Sequence, residues 1–505
     1  MNSALIIAIN IVLYFSIAFL SLFCTSVKEK ILYTAILVFS IVPQAIYMGY
    51  LLFAHVLLEG NSVTSLFETN PEESKEFVAN YLSPWVTIAM LVYATIPAIM
   101  IWSMKSVKPL RVKEHKVLFC SSILIIIAIF SLSRLSQSVY AFNFYKTYVS
   151  YQCRQNYEQK AVAERQIHKY DVQETGNIDS IPQTIVVVIG ESETRTHMQI
   201  YGYGRNTTPL LSARKDNLFA YADVVSPQVH TIPVIRSILT FSDRDNPDFV
   251  TEKPSLFELF NRAGWNTYFI TNQPFGGRIK SSYDVFLNLA QHKYNLSVKK
   301  QNDEVVLPTL KQILETDSDH DKLIVVHLIG NHMAYEYRYP KSFEKFDNKK
   351  DHLVADAPYR DNAAKIMIDR YDNSVLYNDF IVDSIINMLA VRKNEETSMI
   401  YFSDHGEELY DKRKFAGHVY EKISPYMCEV PFILWVSDTY KDMNPDIVYD
   451  IKRPFSTGNF IYSISDLGGL RYKDYDPKKS LFSIGFKPSE RYVGDKTYEE
   501  VLKLR

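Results

Sequence analysis

The sequence predicts an α-helical transmembrane region followed by a large external α/β domain, and three observations predict it. Apolar runs without a formal charge crowd the first part of the chain, the loops between them alternate basic and acidic, and from Ile181 onward short β-branched runs alternate with helical stretches. With 505 residues the chain exceeds one ordinary core, so at least two structural regions are expected.

The apolar runs are Ala4 to Phe23, Ile31 to Leu58, Ala79 to Met104 and Val117 to Leu132, and none contains Asp, Glu, Lys or Arg. A helix needs about 20 predominantly apolar residues to cross the hydrocarbon core. The first three runs meet that length; the fourth is shorter, with Arg134 placed to snorkel to the interface. Soluble helices are normally punctuated by charges, which argues against four buried core helices. The N-terminus lacks a basic flank and a cleavage signal, so the first run reads as an anchor.

Orientation follows from the Lys/Arg bias of short loops. Lys105 to Lys116 is strongly basic, and Lys28 and Lys30 flank the first turn, whereas Glu59 to Asn80 carries Glu68, Glu72, Glu73 and Glu76 against Lys75. The basic loops are expected in the cytoplasm, and everything after Leu132 outside it. Lys+Arg 55 against Asp+Glu 57 gives a net charge of -2, which excludes the basic footprint of a nucleic-acid binder. Four cysteines are too few for a disulfide scaffold; only Cys153 and Cys428 are candidates to meet in an oxidising compartment.

The domain plan is 1–136 transmembrane, 137–180 a membrane-surface or tether segment, and 181–505 catalytic. Tyr140, Phe142, Phe144, Tyr145 and Tyr148 suit the headgroup layer, and a helix packing on the soluble domain is the equal alternative. In the last region Ile185 to Gly190, Thr267 to Thr271, Leu323 to Gly330, Met399 to Ser403 and Pro431 to Val436 read as buried strands. Continuous β-branched runs mark strands covered on both faces, hence a largely parallel sheet between helical layers.

Reactive groups in open α/β sheets collect beyond the carboxyl ends of the strands. Gly190-Glu191-Ser192, Gly330-Asn331-His332 and Ser403-Asp404-His405-Gly406-Glu407 all fall there. A carboxylate, an Asp-His pair and further histidines form a nitrogen and oxygen set suited to zinc. Each motif alone is weak; their convergence at strand ends of one domain is the sharper signal.

Taken in order, Val187 to His197, Tyr201 to Pro209, Ser226 to Pro233, Thr271 to Gln273, Gly330 to His332, Tyr337 to Pro340, Tyr371 to Ser374, Ser403 to Glu407 and Gly417-His418 form a pattern that resembles the phosphoethanolamine transferases. These are membrane proteins of the bacterial inner membrane whose periplasmic domain has the alkaline phosphatase and sulfatase fold, an α/β/α sandwich. The resemblance implies that Glu191, Thr231, Asp404 and His405 bind zinc, with Thr231 also the nucleophile. It places His332 and His418 against the phosphoryl group, and leaves open whether a second zinc ion binds. Glu407 is expected to support His405 from behind. His197, His230 and His327 are expected to be structural or supporting.

The implied reaction moves phosphoethanolamine from phosphatidylethanolamine through a covalent Thr231 intermediate to a lipopolysaccharide acceptor, core or lipid A, in a ping-pong sequence. The Tyr337-Arg338-Tyr339-Pro340 segment and the sparse cysteines lean towards the core, while other glycans and protein hydroxyls stay open. Thr69 and Glu73 match a family loop that contacts the donor head group, although the polar amide expected at Ser65 is absent; a solvated acidic helix end is the alternative. The family has five spans, and only two precede this loop here, so its first helix lacks a counterpart. A monomer is expected. The competing readings are a phosphoglycerol transferase, a sulfatase, which Thr231 cannot serve because it cannot form the aldehyde, and an inactive membrane sensor or scaffold.

Overall fold

The computed structural model describes every residue except 1–2, 24–25, 59, 70, 82–83, 104–109, 133–134, 136, 166–169, 175–180, 274–283, 298–300, 317–319, 352–358 and 505. Arg134 and part of the basic loop therefore lie outside the described residues. The chain divides into two compact units, Met1–Asn156 and Tyr157–Arg505.

The first unit is helical: α1 (Ser3–Ser21), α2 (Val27–Ala54), α3 (Gly60–Glu68), α4 (Pro71–Tyr81), α5 (Pro84–Ser103), α6 (Lys116–Ser131) and the start of α7 (Tyr140–Glu164). Among the described residues α2, with 28 residues, is long and apolar enough to cross a membrane, while Ala8–Ser21 and Lys116–Ser131 are shorter apolar helices. A capping box starts α2: the Ser26 hydroxyl accepts from the Glu29 N–H while the Glu29 carboxylate accepts from the Ser26 N–H. Helix α1 packs on α6 and α2 on α5. Asn10 is a buried polar residue on α1, and it is satisfied: it donates to Ser138 O at 2.8 Å and accepts from Tyr140 N at 3.1 Å.

The segment expected as a membrane-surface strip and tether contains one continuous helix, α7, of 25 residues. The division between the two units falls within it.

The second unit is an α/β/α sandwich. The strands of its central sheet are β1 (Gln183–Gly190), β2 (Leu218–Ala220), β3 (Asn266–Thr271), β4 (His292–Asn295), β5 (Lys322–His327), β6 (Glu396–Ser403) and β7 (Phe432–Val436), in the spatial order β2-β7-β6-β1-β5-β3-β4. From β6 to β4 all pairings are parallel; β7 runs antiparallel to both β6 and β2. All five runs read as strands lie in this sheet, with Pro431 to Val436 supplying the reversed one. The Leu323 run leaves the sheet after His327, which frees the following residues to form a loop.

Each strand splits its side chains between two cores, as a period of two requires. Ile185, Val187 and Ile189 of β1 face one core with Ile235 and Ile238 of α8 (Thr231–Leu239), Phe257 of α9 (Leu256–Arg262) and further helices. Val186 and Val188 face the other with Leu310 and Ile313 of α10 (Val306–Thr316) and Ile381 and Ile385 of α11 (Asn362–Ala390). A sheet sealed on both faces is rigid, and its carboxyl ends present loops at fixed positions. Cys120, Cys153 and Cys428 are free thiols, so the considered Cys153–Cys428 pairing is not formed.

Candidate active site

Beyond the ends of β1 and β6 the chain turns sharply. Glu191 leaves β1, and the next residue, Ser192, is held at φ 57, a conformation costly for a residue with a Cβ. Asp404 and His405 leave β6, the strand beside β1. Thr231 arrives from another direction, as the first residue of α8 after the extended cap residue His230. The N-terminal end of that helix faces the cluster with N–H groups that the helix itself leaves unpaired.

The four side chains converge. Thr231 Oγ1 donates to Glu191 Oε2 at 3.1 Å, with Oε1 at 3.3 Å, and lies 3.4 Å from His405 Nε2. His405 Nε2 is 3.3 Å from Glu191 Oε1 and 3.4 Å from Asp404 Oδ2. Glu191, Asp404 and His405 are buried, while Thr231 is half-buried and so open to a substrate.

These residues fit a metal ion. Asp404 Oδ1 accepts from the N–H groups of Ser192 (3.1 Å) and His405 (2.7 Å), but Oδ2 is buried with no hydrogen-bond partner. His405 directs Nδ1 at Gly406 O, 3.0 Å away, which leaves the Nε2 lone pair for the cluster in the neutral ring. One ligand atom each from Glu191, Asp404 and His405 can be chosen within 4.8 Å of one another. The electrostatics agree. Burial opposes protonation of His405, yet the Asp404 and Glu191 carboxylates outweigh it and push the ring up to about 10. Burial, and then Glu191, push the Asp404 carboxyl up to about 6. Two carboxylates and a buried ring thus call for positive charge between them, and zinc with its preference for nitrogen and oxygen donors suits the set.

A second group of side chains lies beside the first. His418 Nδ1 is 2.7 Å from Glu407 Oε2, and Glu407 Oε1 accepts from Tyr335 OH at 2.6 Å. Glu407 therefore reaches His418 directly, whereas His405 is steadied by Gly406; ligand atoms of His405, Glu407 and His418 fall within 4.8 Å of one another. Rings of His405 and His418 stand 4.1 Å apart between centroids, and His230 lies 4.9 Å from His418. Burial lowers His332 to about 3 and His327 to about 4, and it holds His418 and His230 well below the ordinary histidine value. These rings are neutral, in contrast to His405.

Supporting residues come from every neighbouring loop. Ser192 Oγ donates to Glu191 Oε1 at 2.8 Å, and Gln273 Nε2 donates to Glu191 Oε2 at 3.2 Å. Asp303 accepts from the N–H groups of Ile329 (3.0 Å) and Gly330 (2.8 Å), fixing the loop that carries His332. Gly330 has φ +51, and a Cβ there would stand 2.7 Å from Glu191 N, so the His332 loop rests on the backbone of the Glu191 loop. Ser192 and Gln273 belong to motifs visible in the sequence, but Asp303 and Tyr335 carry no such signal. His197 sits away from the cluster against Asp372 (2.7 Å) and Asp411 (3.7 Å).

Thr69 and Glu73 belong to the other unit. The Thr69 hydroxyl closes the end of α3 by donating to Ser65 O at 2.9 Å; the Glu73 side chain lies outside the described residues.

Comparison with known proteins follows the same division. Residues 183–470 match the family model described as sulfatase, and residues 12–163 match that described as phosphoethanolamine transferase EptA/EptB. Phosphoethanolamine transferase EptC of Escherichia coli strain K12 is 32% identical over 459 residues, covering 85% of this chain and 78% of that protein. The periplasmic domain of the Escherichia coli EptC, solved as a complex with Zn, is 34% identical with a TM-score of 0.61, covering 65% of this chain and 92% of that one. The integral membrane protein lipooligosaccharide phosphoethanolamine transferase A of Neisseria meningitidis shares the fold over 93% of this chain and 89% of its own, with a TM-score of 0.69 at 19% identity.

Proposed function

The chain belongs to the phosphoethanolamine transferase family, and from that premise we propose that it transfers phosphoethanolamine from phosphatidylethanolamine to lipopolysaccharide through a covalent intermediate on Thr231. The observation that carries this reading is the placement of the Thr231 hydroxyl, 3.1 Å from Glu191 at the head of α8 and in one cluster with Asp404 and His405. The family relationship supports a membrane protein with an external catalytic domain; a multi-pass anchor in the bacterial inner membrane is part of the proposal.

Glu191, Thr231, Asp404 and His405 would hold the zinc ion. When bound, it supplies the positive charge that makes the threonine alkoxide accessible near neutral pH and draws charge from the phosphoryl oxygens. The remaining work falls to this chain's own groups. Glu191 orients the Thr231 hydroxyl towards the cluster and away from the helix. Thr231 Oγ1 bonds to phosphorus as the bond to the diacylglycerol oxygen breaks, and that oxygen must gain a proton. Neutral His332 and His418 would supply hydrogen bonds to the phosphoryl oxygens, or a proton relay. The first turn of α8 offers its free N–H end to the same anion. An acceptor hydroxyl then displaces Thr231 Oγ1. His418, its Nδ1 committed to Glu407, has Nε2 free to take the acceptor's proton.

Mass spectrometry of the intact protein after incubation with phosphatidylethanolamine tests the reading. A phosphoethanolamine adduct mapped to Thr231 is expected; a glycerophosphate adduct would indicate a phosphoglycerol transferase, and no adduct would remove the covalent pathway. Surface glycolipid masses with and without the gene identify the acceptor, with a mass gain on the lipopolysaccharide core expected.

A further inference from the structure

If Thr231 is the nucleophile, its helix must be held against rotation. The buried side of α8, formed by Val234, Ile235, Ile238 and Leu239, is apolar, and apolar contact is non-directional. A rotation of about 10° would carry an atom ~5 Å from the helix axis by about 1 Å. Misplacement on that scale can cost on the order of 10²-fold in rate.

Among the described contacts of α8, a buried ion pair comes from α7. Arg236 Nη2 lies 2.6 Å from Glu158 Oε1, with side chains 13% and 3% exposed. Glu158 and Val162 are four apart on one face of α7, and Arg165 follows just past its end. Val162 enters the core that holds Ile235 and Ile238. Arg165 closes the face: its Nη1 donates to Val250 O (3.2 Å) and Lys253 O (2.5 Å), and its guanidinium pairs with Glu258. The last turns of α7 are thus built into the catalytic unit by one apolar and two ionic contacts. One of the ionic contacts falls on the nucleophile's helix.

We propose that Glu158 and Arg236 form a positioning pair, which fixes the rotation of α8 and so holds Thr231 Oγ1 in register with Glu191. Removing one partner alone breaks a buried ion pair, which is strongly destabilising. The deciding variant is therefore the double one, Glu158→Gln with Arg236→Gln, which removes both charges together and leaves a polar amide at each position. The measurement is single-turnover formation of the Thr231 adduct from a soluble ethanolamine phosphodiester, on full-length, zinc-loaded protein, together with KM, zinc content and thermal midpoint.

The expected result is a fall of about 10-fold in the adduct rate, with KM within about twofold, zinc stoichiometry unchanged and the thermal midpoint close to wild type. A wild-type adduct rate per zinc-loaded molecule would overturn the inference and make the pair purely structural. If the double variant fails to fold, Arg236→Lys decides: it keeps the charge but loses the planar fork, so a slowed adduct rate in folded protein supports the pairing role and an unchanged rate overturns it. Turnover by wild type with no Thr231 adduct would instead overturn the nucleophile reading itself.

Discussion

The site has two banks of opposite electrical character. On one, Glu191 and Asp404 surround His405 and drive its ring up to about 10. On the other, His332, His418, His230 and His327 are buried among groups that hold them below the ordinary histidine range. Histidine is the same residue on both sides, so the difference lies in the neighbours. Two carboxylates within reach of one ring create demand for a cation, whereas burial prevails at the other rings and favours their neutral form, even at His418 beside Glu407. The contrast sets a cluster that calls for a cation beside neutral rings, with His405 and His418 4.1 Å apart between centroids.

Breaking the nucleophile should have the largest effect. Thr231→Ala is expected to lower transfer by on the order of 10⁴-fold or more while the domain stays folded, because a half-buried hydroxyl is lost and no core volume. Thr231→Ser should keep part of the activity, since the oxygen remains and only the χ1 restraint of the methyl goes. Adduct mass spectrometry and turnover on the same samples check both.

Next comes the cation bank. Asp404→Asn and His405→Ala are expected to reduce bound zinc, measured by elemental analysis, and activity with it. Chelation should inactivate wild type without unfolding it, because two large cores stand apart from the cluster. Full zinc occupancy in both variants would show that the ion is held elsewhere.

The neutral bank sharpens the comparison by giving the opposite pattern. His332→Ala and His418→Ala should retain zinc and lose about 10²- to 10³-fold in kcat. Loss of zinc in either would merge the two banks into one metal centre.

A smaller effect is expected at the donor loop. Glu73→Gln should reduce transfer from phosphatidylethanolamine vesicles by a few-fold (about 1 kcal/mol for one charge contact) and leave cleavage of a soluble ester unchanged. Equal effects on both substrates would remove the head-group contact.

Outside the site, His197 offers a pH test. Burial opposes its protonation, but Asp372 and then Asp411 push it up to about 9 from 6.5. Its folded pKa being raised, the stabilisation is fully present below pH 6.5, declines as pH rises, and is gone above about 9. The linkage is on the order of 3 kcal/mol. Thermal midpoints of wild type should fall between pH 7 and 9.5, and His197→Gln should flatten that slope.

The sandwich was legible because its central strands are continuous β-branched runs, and Glu191, Asp404 and His405 because they sit at the ends of those strands, whereas Thr231, at the head of α8, came only from the family resemblance. Edge strands were not legible: Leu218–Ala220 and His292–Asn295 are short, and the second is polar. Helix α7 was hidden for a related reason. Its docked residues are Glu158, Val162 and, just past its end, Arg165, one apolar residue between two charged ones, so no hydrophobic stripe announces it. Asp303 and Tyr335 act through partners far away in sequence, and no local spacing reports such contacts.

Gly330 has a consequence for how this protein can diverge. A methyl group there meets Glu191 N at 2.7 Å and Glu191 O at 3.0 Å, both backbone atoms that cannot swing aside. Downstream of Gly330 the same loop carries Tyr335, whose hydroxyl donates to Glu407, so the close approach at 330 also sets where that support stands. A library that randomises position 330 should return glycine almost alone.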